Sequence, residues 1–385
     1  MNPSVSVIIP VYNNAGTISR TIDSVLAQTI DDIEIIIVDD GSTDNTRAHL
    51  KPYGQRIRYF YQSNQERSAA RNNGLLQARG QYIAFLDADD YWLPIKLEKQ
   101  IAVFQNKPEL GLVYSQAFAI KKQDHPLYLL GKKCLDSSKD PSEAFCQLLI
   151  GNFIPSPTPL ISRLCVRDAG FYDEKISIRE DNDYWLRIAR YYPIYGIPEP
   201  LAFYQLSEGN FLQKLAAKNA QDAYVYVVEK YEDDHPCSQD DYYLALALSW
   251  FRAALIVFGI GDLEAGKHRL DKAIECNAAL YYVYDEHVTQ SLCDLAFQLS
   301  LSQPTGERGE AFIRKVLDNL PELISNKHQL HSALGLFYAA RFFRAQWVCD
   351  WLTIRNSFLP MVLNNPKWLF NKGVISTIMR AFLTR

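Results

Sequence analysis

The chain has 385 residues, a formal net charge of −4, 48% hydrophobic and 22% charged residues. That is an ordinary globular composition, in a chain longer than one hydrophobic core usually fills, so two domains are expected. No dense basic cluster with interleaved aromatics occurs, which excludes a nucleic-acid partner held by charge.

A strand signal starts almost at once, in "VSVIIPVY" (5–12), a β-branched run suited to a strand covered on both faces. No basic, longer apolar leader precedes it, so no secretory signal is expected. "AGTISRTIDSVLAQ" then places Ile18, Ile22, Val25 and Leu26 on one helical stripe. "DIEIIIVDD" reads as a second buried strand, and "STDNTRAHLKPY" as a helix start capped by Ser42 or Thr43. "IRYFYQ", "SAARNNGLLQA" and "YIAFLDADD" continue as strand, helix and strand. Such alternation predicts an α/β domain whose mostly parallel sheet has right-handed crossovers and flanking helices.

Further along, "LGLVYSQAFAI" is strand-like and "SEAFCQLLIGNF" helical, while "PSPTPLISRLCVRDAGFYDE" reads as loop. "REDNDYWLRIARYY" has acids in its first turn and bases later, as a helix dipole favours, and "IYGIPEPLAFYQL" reads as the last strand. From about residue 210 the pattern is nearly all helical, giving expected domains of 1–210 and 211–385. "DLEAGKHRLDKAIECNAAL" resembles half of a tetratricopeptide-type hairpin, with a weaker echo near 338–366, but no strict period supports a repeat array. The most apolar helical stretch, 245–261, is interrupted by Arg252 and is expected to fall short of a membrane span. The seven cysteines are scattered singly, without a Cys-x-x-Cys pair, which argues against a disulfide scaffold or structural zinc and for a reducing, cytoplasmic setting.

In parallel sheets, ligands bind beyond the carboxyl ends of the strands. Tyr12-Asn13, Asp39-Asp40 and Asp87-Asp89 all fall where apolar runs give way to polar residues, hence on one edge. The first turn, "PVYNNAGT", has one glycine where a dinucleotide fingerprint needs three, and no P-loop occurs. Asp87 and Asp89, either side of Ala88 at a strand end, suit a hard divalent cation that also takes oxygens from a substrate diphosphate. Taken alone, strand-end aspartates as often cap helices. Arg71 offers a fixed cation for phosphate, Asp39 an acceptor for a base N–H, and Asp40 a structural bond to turn amides. Asp90 reads either as a third acid of the cluster or as a cap near Pro94.

"VSVIIPVYNNAGTISRTIDSVLAQT", "IIIVDDGSTDNT", "SAARNNGLLQARGQYIAFLDADDYWLPIKLEKQ" and "EDNDYWLRIA" occur in the order found in family 2 glycosyltransferases of the GT-A fold, which the chain resembles to about Leu206. The resemblance implies a nucleotide-diphosphate sugar donor, Mn²⁺ or Mg²⁺, and a glycan or lipid-linked acceptor. It places Pro10 and Tyr12 along a pyrimidine pocket, with Asp39 reading the base. Arg71 would lie near the phosphates or ribose, Asp87 at the ribose and metal, and Asp89 at the metal. Asp181, from Glu180-Asp181, would be the general base of an inverting transfer. Glu66 stands where many relatives have glycine, Asn182 where an aromatic is common, and Ser207 where many carry histidine. The departures at Asn182 and Ser207 motivate an alternative, a non-catalytic donor-binding scaffold whose helical half recruits partners. A sugar nucleotidyltransferase would want a glycine-rich basic loop after the first strand, which is lacking. No Q-x-x-R-W motif marks a processive synthase. Trp185 reads as core, and the last segment, 373–385, has a face suited to a membrane surface or to ordinary helix packing.

Overall fold

The computed structural model describes residues 3–121, 126–206, 220–277, 307–318 and 351–371, with a few single positions besides. The chain forms two compact units, one of Met1–Asp124, Leu129–Leu206 and Asp234–Ser238, the other of His125–Tyr128, Ser207–Asp233 and Gln239–Arg385.

The first unit is built on β1 (Val5–Val11), β2 (Ile33–Asp40), β3 (Arg58–Gln62), β4 (Tyr82–Phe85), β5 (Tyr91–Trp92), β6 (Leu112–Ile120), β8 (Leu160–Ser162) and β9 (Ile194–Gln205). They run in the order β3-β2-β1-β4-β8-β6-β9-β5, with β7 (Pro126–Leu130) off this path. The β3-β2-β1-β4 half is parallel, as its alternating motifs predict. β8 joins both neighbours antiparallel, β6 and β9 are parallel, and β5 is antiparallel to β9, so the whole sheet is mixed. Every residue of β1 is buried, which accounts for its unbroken apolar run.

Helices α1 (Ile18–Leu26), α2 (Thr46–Leu50), α3 (Glu66–Gln77), α4 (Lys96–Asn106), α5 (Pro141–Ile150), α6 (Arg163–Ala169) and α7 (Glu180–Tyr191) complete the unit. The stripe on α1 is Ile18, Thr21, Ile22 and Val25; Leu26 is exposed, one position past the buried arc. Neither Ser42 nor Thr43 caps α2, which begins later, at Thr46. The segment expected as loop holds β8 and α6; its prolines precede both elements. Gly74 lets α3 lie directly on β1, since a Cβ there would stand 2.3 Å from Ile8 Cγ2. Alanine is the better helix former by about 1 kcal/mol. Even so, Gly74→Ala is expected to destabilise by about 1–3 kcal/mol through overpacking, read as a lower urea midpoint.

Cys146 of α5 and Cys237 form a disulfide. They lie 91 residues apart, so no local spacing signals the pairing, and the cysteine-based argument for a reducing compartment is lost.

Apart from the β7 residues 126–128, the described part of the second unit is helical: α8 (Ala220–Glu229), α9 (Gln239–Ile260), α10 (Leu263–Cys276), α11 (Glu307–Asp318) and α12 (Trp351–Asn364). α9 and α10 form a hairpin turned at Gly261, at φ 101°, and capped where the Asp262 carboxylate accepts the Ala265 N–H at 3.0 Å. At 22 residues, α9 is longer than the sequence reading allowed, and by length and hydropathy it meets the requirement for a membrane span. Of its most apolar window, 61% is buried within the protein, as in a core helix.

Candidate active site

The carboxyl ends of β1, β2 and β4 meet in three loops. The loop after β1 turns on Asn13, at φ 54°, a conformation asparagine tolerates. Its side-chain Oδ1 accepts the N–H groups of Thr43 and Asp44 (2.8 and 3.2 Å), and its own N–H donates to Ser42 Oγ. The Ala15 N–H donates to Asp44 Oδ2 at 3.1 Å, so the first two loops are stitched together. Pro10 is buried in β1 beside them, whereas Tyr12 is 48% exposed at the edge.

Asp39 is nearly fully buried: its Oδ1 accepts the Ser42 N–H (2.9 Å) and its Oδ2 the Tyr59 hydroxyl (2.8 Å). Burial and this acceptor push the Tyr59 hydroxyl up to about 12, so it stays a donor. Asp40 is structural, but through a more distant loop than expected: it holds Gln62 Nε2 and the Gln65 N–H, fixing the approach to α3.

The acidic turn Asp87–Asp90 is closed by the Asp90 N–H on Asp87 O at 3.0 Å. α1 grips its carbonyls from below. Thr17 Oγ1 donates to Ala88 O (2.8 Å), Thr21 Oγ1 reaches Ala88 O and Asp90 O (3.0 and 2.8 Å), and an Arg20 nitrogen reaches Asp89 O. Positions 17, 20, 21 share one helical face, so a single helix immobilises the turn without using its carboxylates. Asp90 does not cap α4; it is buried, and its Oδ1 accepts the Gln205 N–H at 2.8 Å, tying the turn to the end of β9.

Asp87 and Asp89 face differently. Burial alone would raise the Asp87 carboxyl, but the Arg71 and Arg67 guanidiniums hold it below the usual range. Asp89 is half-buried, and burial together with the Asp87 charge pushes its carboxyl up to about 6. Among the described residues, no group of three His, Cys, Asp or Glu side chains is placed to hold a metal. Asp87 and Asp89 nonetheless fit a hard divalent cation that takes its remaining ligands from water and substrate: two oxygen donors, one of them poorly compensated.

Arg71 joins this turn to the far side of the site. It lies mid-way along α3, fully buried, with one terminal nitrogen on Asp87 Oδ1 and the other on Glu180 Oε1, both at 2.8 Å. Glu180 opens α7, and Asp181 follows it. Two sequence-distant acidic motifs are thus fixed on either side of one guanidinium. Asp181 is half-buried; its Oδ1 accepts the Asn182 N–H (2.7 Å) and its Oδ2 the Asn152 side-chain amide (3.3 Å). Burial, then the Glu180 charge, push its carboxyl up to about 6 against the pull of Arg71. Asn182 is fully buried: its Oδ1 accepts an Arg179 nitrogen at 2.7 Å and its Nδ2 donates to Leu148 O at 3.3 Å. Tyr184 and Trp185 are core. Ser207, the histidines at 125, 287, 328 and 331, and nearly all of 373–385 lie outside the described residues.

Sequence reasoning missed Glu180 as a partner of Arg71, Asn152 beside Asp181, and Arg67. It did single out Glu66, whose φ of 70° is the backbone glycine would favour. Arg179, ahead of α7, has φ 67°, so non-glycine left-handed residues stand at three loops around the site. A concavity of about 590 Å³ lined by Ser4, Asp32, Arg79, Gly80 and Arg163 lies at the opposite edge, at the amino ends of the strands, away from this chemistry.

Residues 6–132 match the model of glycosyl transferase family 2. Within this chain, it is residues 6–132 that carry the similarity to family 2 glycosyl transferases. An uncharacterised glycosyltransferase of Rickettsia typhi is 35% identical over 195 residues, 50% of this chain and 61% of that protein. One from Nostoc is 47% identical over 114 residues, 29% of this chain and 35% of that one. The chain thus spans less than two thirds of these relatives. In fold, it is similar to S. aureus TarS 1–349 solved with UDP (TM-score 0.52, 17% identity, covering 93% of this chain and 90% of that one). It is also similar to a Pyrobaculum calidifontis mannosyltransferase solved with GDP-Man and Mn²⁺ (TM-score 0.50, 17% identity, 83% and 87% covered). The first unit has a GT-A-like fold, a mixed sheet with flanking helices.

Proposed function

We propose that the family 2 domain is an inverting, metal-dependent glycosyltransferase, moving a sugar from a uridine or thymidine diphosphate donor to a hydroxyl of a glycan or lipid-linked acceptor in surface-glycan assembly. One observation supports this reading: Arg71 bonds both Asp87 and Glu180, so the acidic turn and the first turn of α7, which carries Asp181, are held side by side.

Pro10 and Tyr12 line the base pocket, and Asp39 keeps lone pairs for a base N–H beyond its bonds to Ser42 and Tyr59. Asp87 and Asp89 would hold the divalent cation, Mn²⁺ or Mg²⁺, which neutralises charge on the departing diphosphate. Asp181 takes the acceptor hydroxyl proton as that oxygen bonds to the anomeric carbon. The bond from this carbon to the diphosphate breaks, and its electron pair leaves on the phosphate oxygen. Attack opposite the leaving group inverts the anomeric centre. Arg71 acts by position: with both terminal nitrogens engaged in a buried network, it holds the two acidic motifs in register.

The test is transfer or donor hydrolysis over a panel of nucleotide sugars with Mn²⁺ or Mg²⁺. Asp89→Asn is expected to cost several kcal/mol of transition-state stabilisation, at least about 100-fold in kcat/KM. Unchanged turnover in that variant would remove the metal assignment. Tight nucleotide binding with no turnover in the wild type would favour the scaffold alternative.

A further inference from the structure

We propose that Arg67 is the residue that grips the terminal phosphate of the donor's diphosphate, and so sets the preference for nucleoside diphosphates over monophosphates; this rests on the glycosyltransferase reading above.

The sequence offers Arg71 as the phosphate cation. The geometry takes it out of contention, because turning it to a ligand would break both of its 2.8 Å bonds, to part-buried Asp87 and to buried Glu180, which would keep only a loose contact with Arg67. Arg67, one helical turn earlier on α3, has the opposite character. Its side chain is 48% exposed, and its ion pair with Glu180 is loose, with Nε 3.8 Å from Oε1. That contact is made by the inner nitrogen at 3.8 Å, beyond hydrogen-bond distance, so neither terminal nitrogen is committed to Glu180 by a hydrogen bond. The guanidinium fork matches two phosphate oxygens.

Arg67 also looks onto the acidic turn. Its charge lowers the carboxyls of Asp87 and Asp89, while Glu180, against burial, and then Asp87 hold its guanidinium above the ordinary range. It is therefore electrostatically close to both candidate metal ligands without a tight bond to either. The opening of α3 adds backbone N–H groups of the same sign, a supporting field for a dianion. A diphosphate reaching Asp87 and Asp89 through a shared cation would bring its terminal group within range of this arm. Its departure as leaving group would then be met by a fixed positive charge.

The test measures UDP and UMP binding to the full chain in Mn²⁺ by titration calorimetry. The wild type is expected to favour UDP. Arg67→Ala should lose about 10- to 100-fold in UDP affinity, the worth of a charged hydrogen bond, while UMP binding stays the same; that unchanged UMP affinity also reports an intact fold. Arg67→Lys should recover part of the loss as a point charge without the fork. An unaltered UDP-to-UMP ratio in Arg67→Ala overturns the inference and leaves the glycosyltransferase reading standing. Equal losses for both nucleotides also overturn it, placing Arg67 off the terminal phosphate. A wild type that binds neither nucleotide sinks the underlying reading and this inference with it.

Discussion

Asp181→Asn is expected to lower kcat by about 10²- to 10⁴-fold, the usual worth of a general base, while UDP affinity is essentially unchanged. Asparagine has the same shape and keeps an acceptor for the Asn182 N–H, so the opening turn of α7 should hold. The proposed metal ligands, Asp87 and Asp89, and the proposed base-pocket residues lie on other loops and are untouched. The pH profile gives a second check. Burial, then the neighbouring Glu180 charge, place the Asp181 carboxyl at about 6. A raised carboxyl loses its base form as pH falls through that value, so kcat should drop on the acid side near pH 6, not near 4. The profile is taken in saturating Mn²⁺ so that Asp89, whose carboxyl burial and the Asp87 charge also push up to about 6, is held by the proposed cation and does not add to that limb. Glu180→Gln removes the like charge and should move the limb to lower pH. A profile flat from pH 5 to 8, or full activity in Asp181→Asn, would assign the base elsewhere.

How much of this was legible in the sequence follows from range. β1, β2, β4, α3 and α7 announce themselves by local patterning, and the carboxyl-end rule then puts residues 12, 39 and 87 on one edge. That much is nearest-neighbour physics. What no local pattern carries is the joining of Arg71 to Glu180 across 109 residues, or of Cys146 to Cys237 across 91. A guanidinium in mid-helix reads equally well as a ligand arm or a buried bridge until its surroundings are known. Asp40 and Asp39 are a similar case: the turn-amide bond expected of the first belongs to the second. Glu66 was visible as an oddity, but only its backbone angle explains it. The antiparallel β8 is three residues long and follows a proline-rich stretch, too short for periodicity to find.

Arg71→Met should be the most damaging single change to stability in the domain. It leaves two carboxylates, Glu180 almost wholly buried, facing each other without their shared cation. Breaking a buried pair from one side costs about 3–5 kcal/mol, which in a domain near 200 residues lowers Tm by about 10 °C. The sign of the pH dependence is fixed by Asp87, whose carboxyl the arginines hold below the usual range. That stabilisation is present above the ordinary carboxyl value and disappears as pH falls through the lowered one, so the gap between wild type and variant should be widest near neutrality and narrow toward pH 3. Arg71→Lys keeps a charge but cannot fork to both acids, and should fall between the two. The double variant Arg71→Met/Glu180→Gln removes one of the stranded charges and should regain stability without regaining full turnover, because Asp87 and α7 are no longer joined. If Arg71→Met melts within about 1 kcal/mol of the wild type across this pH range, the buried bridge is not what holds the base against the acidic turn.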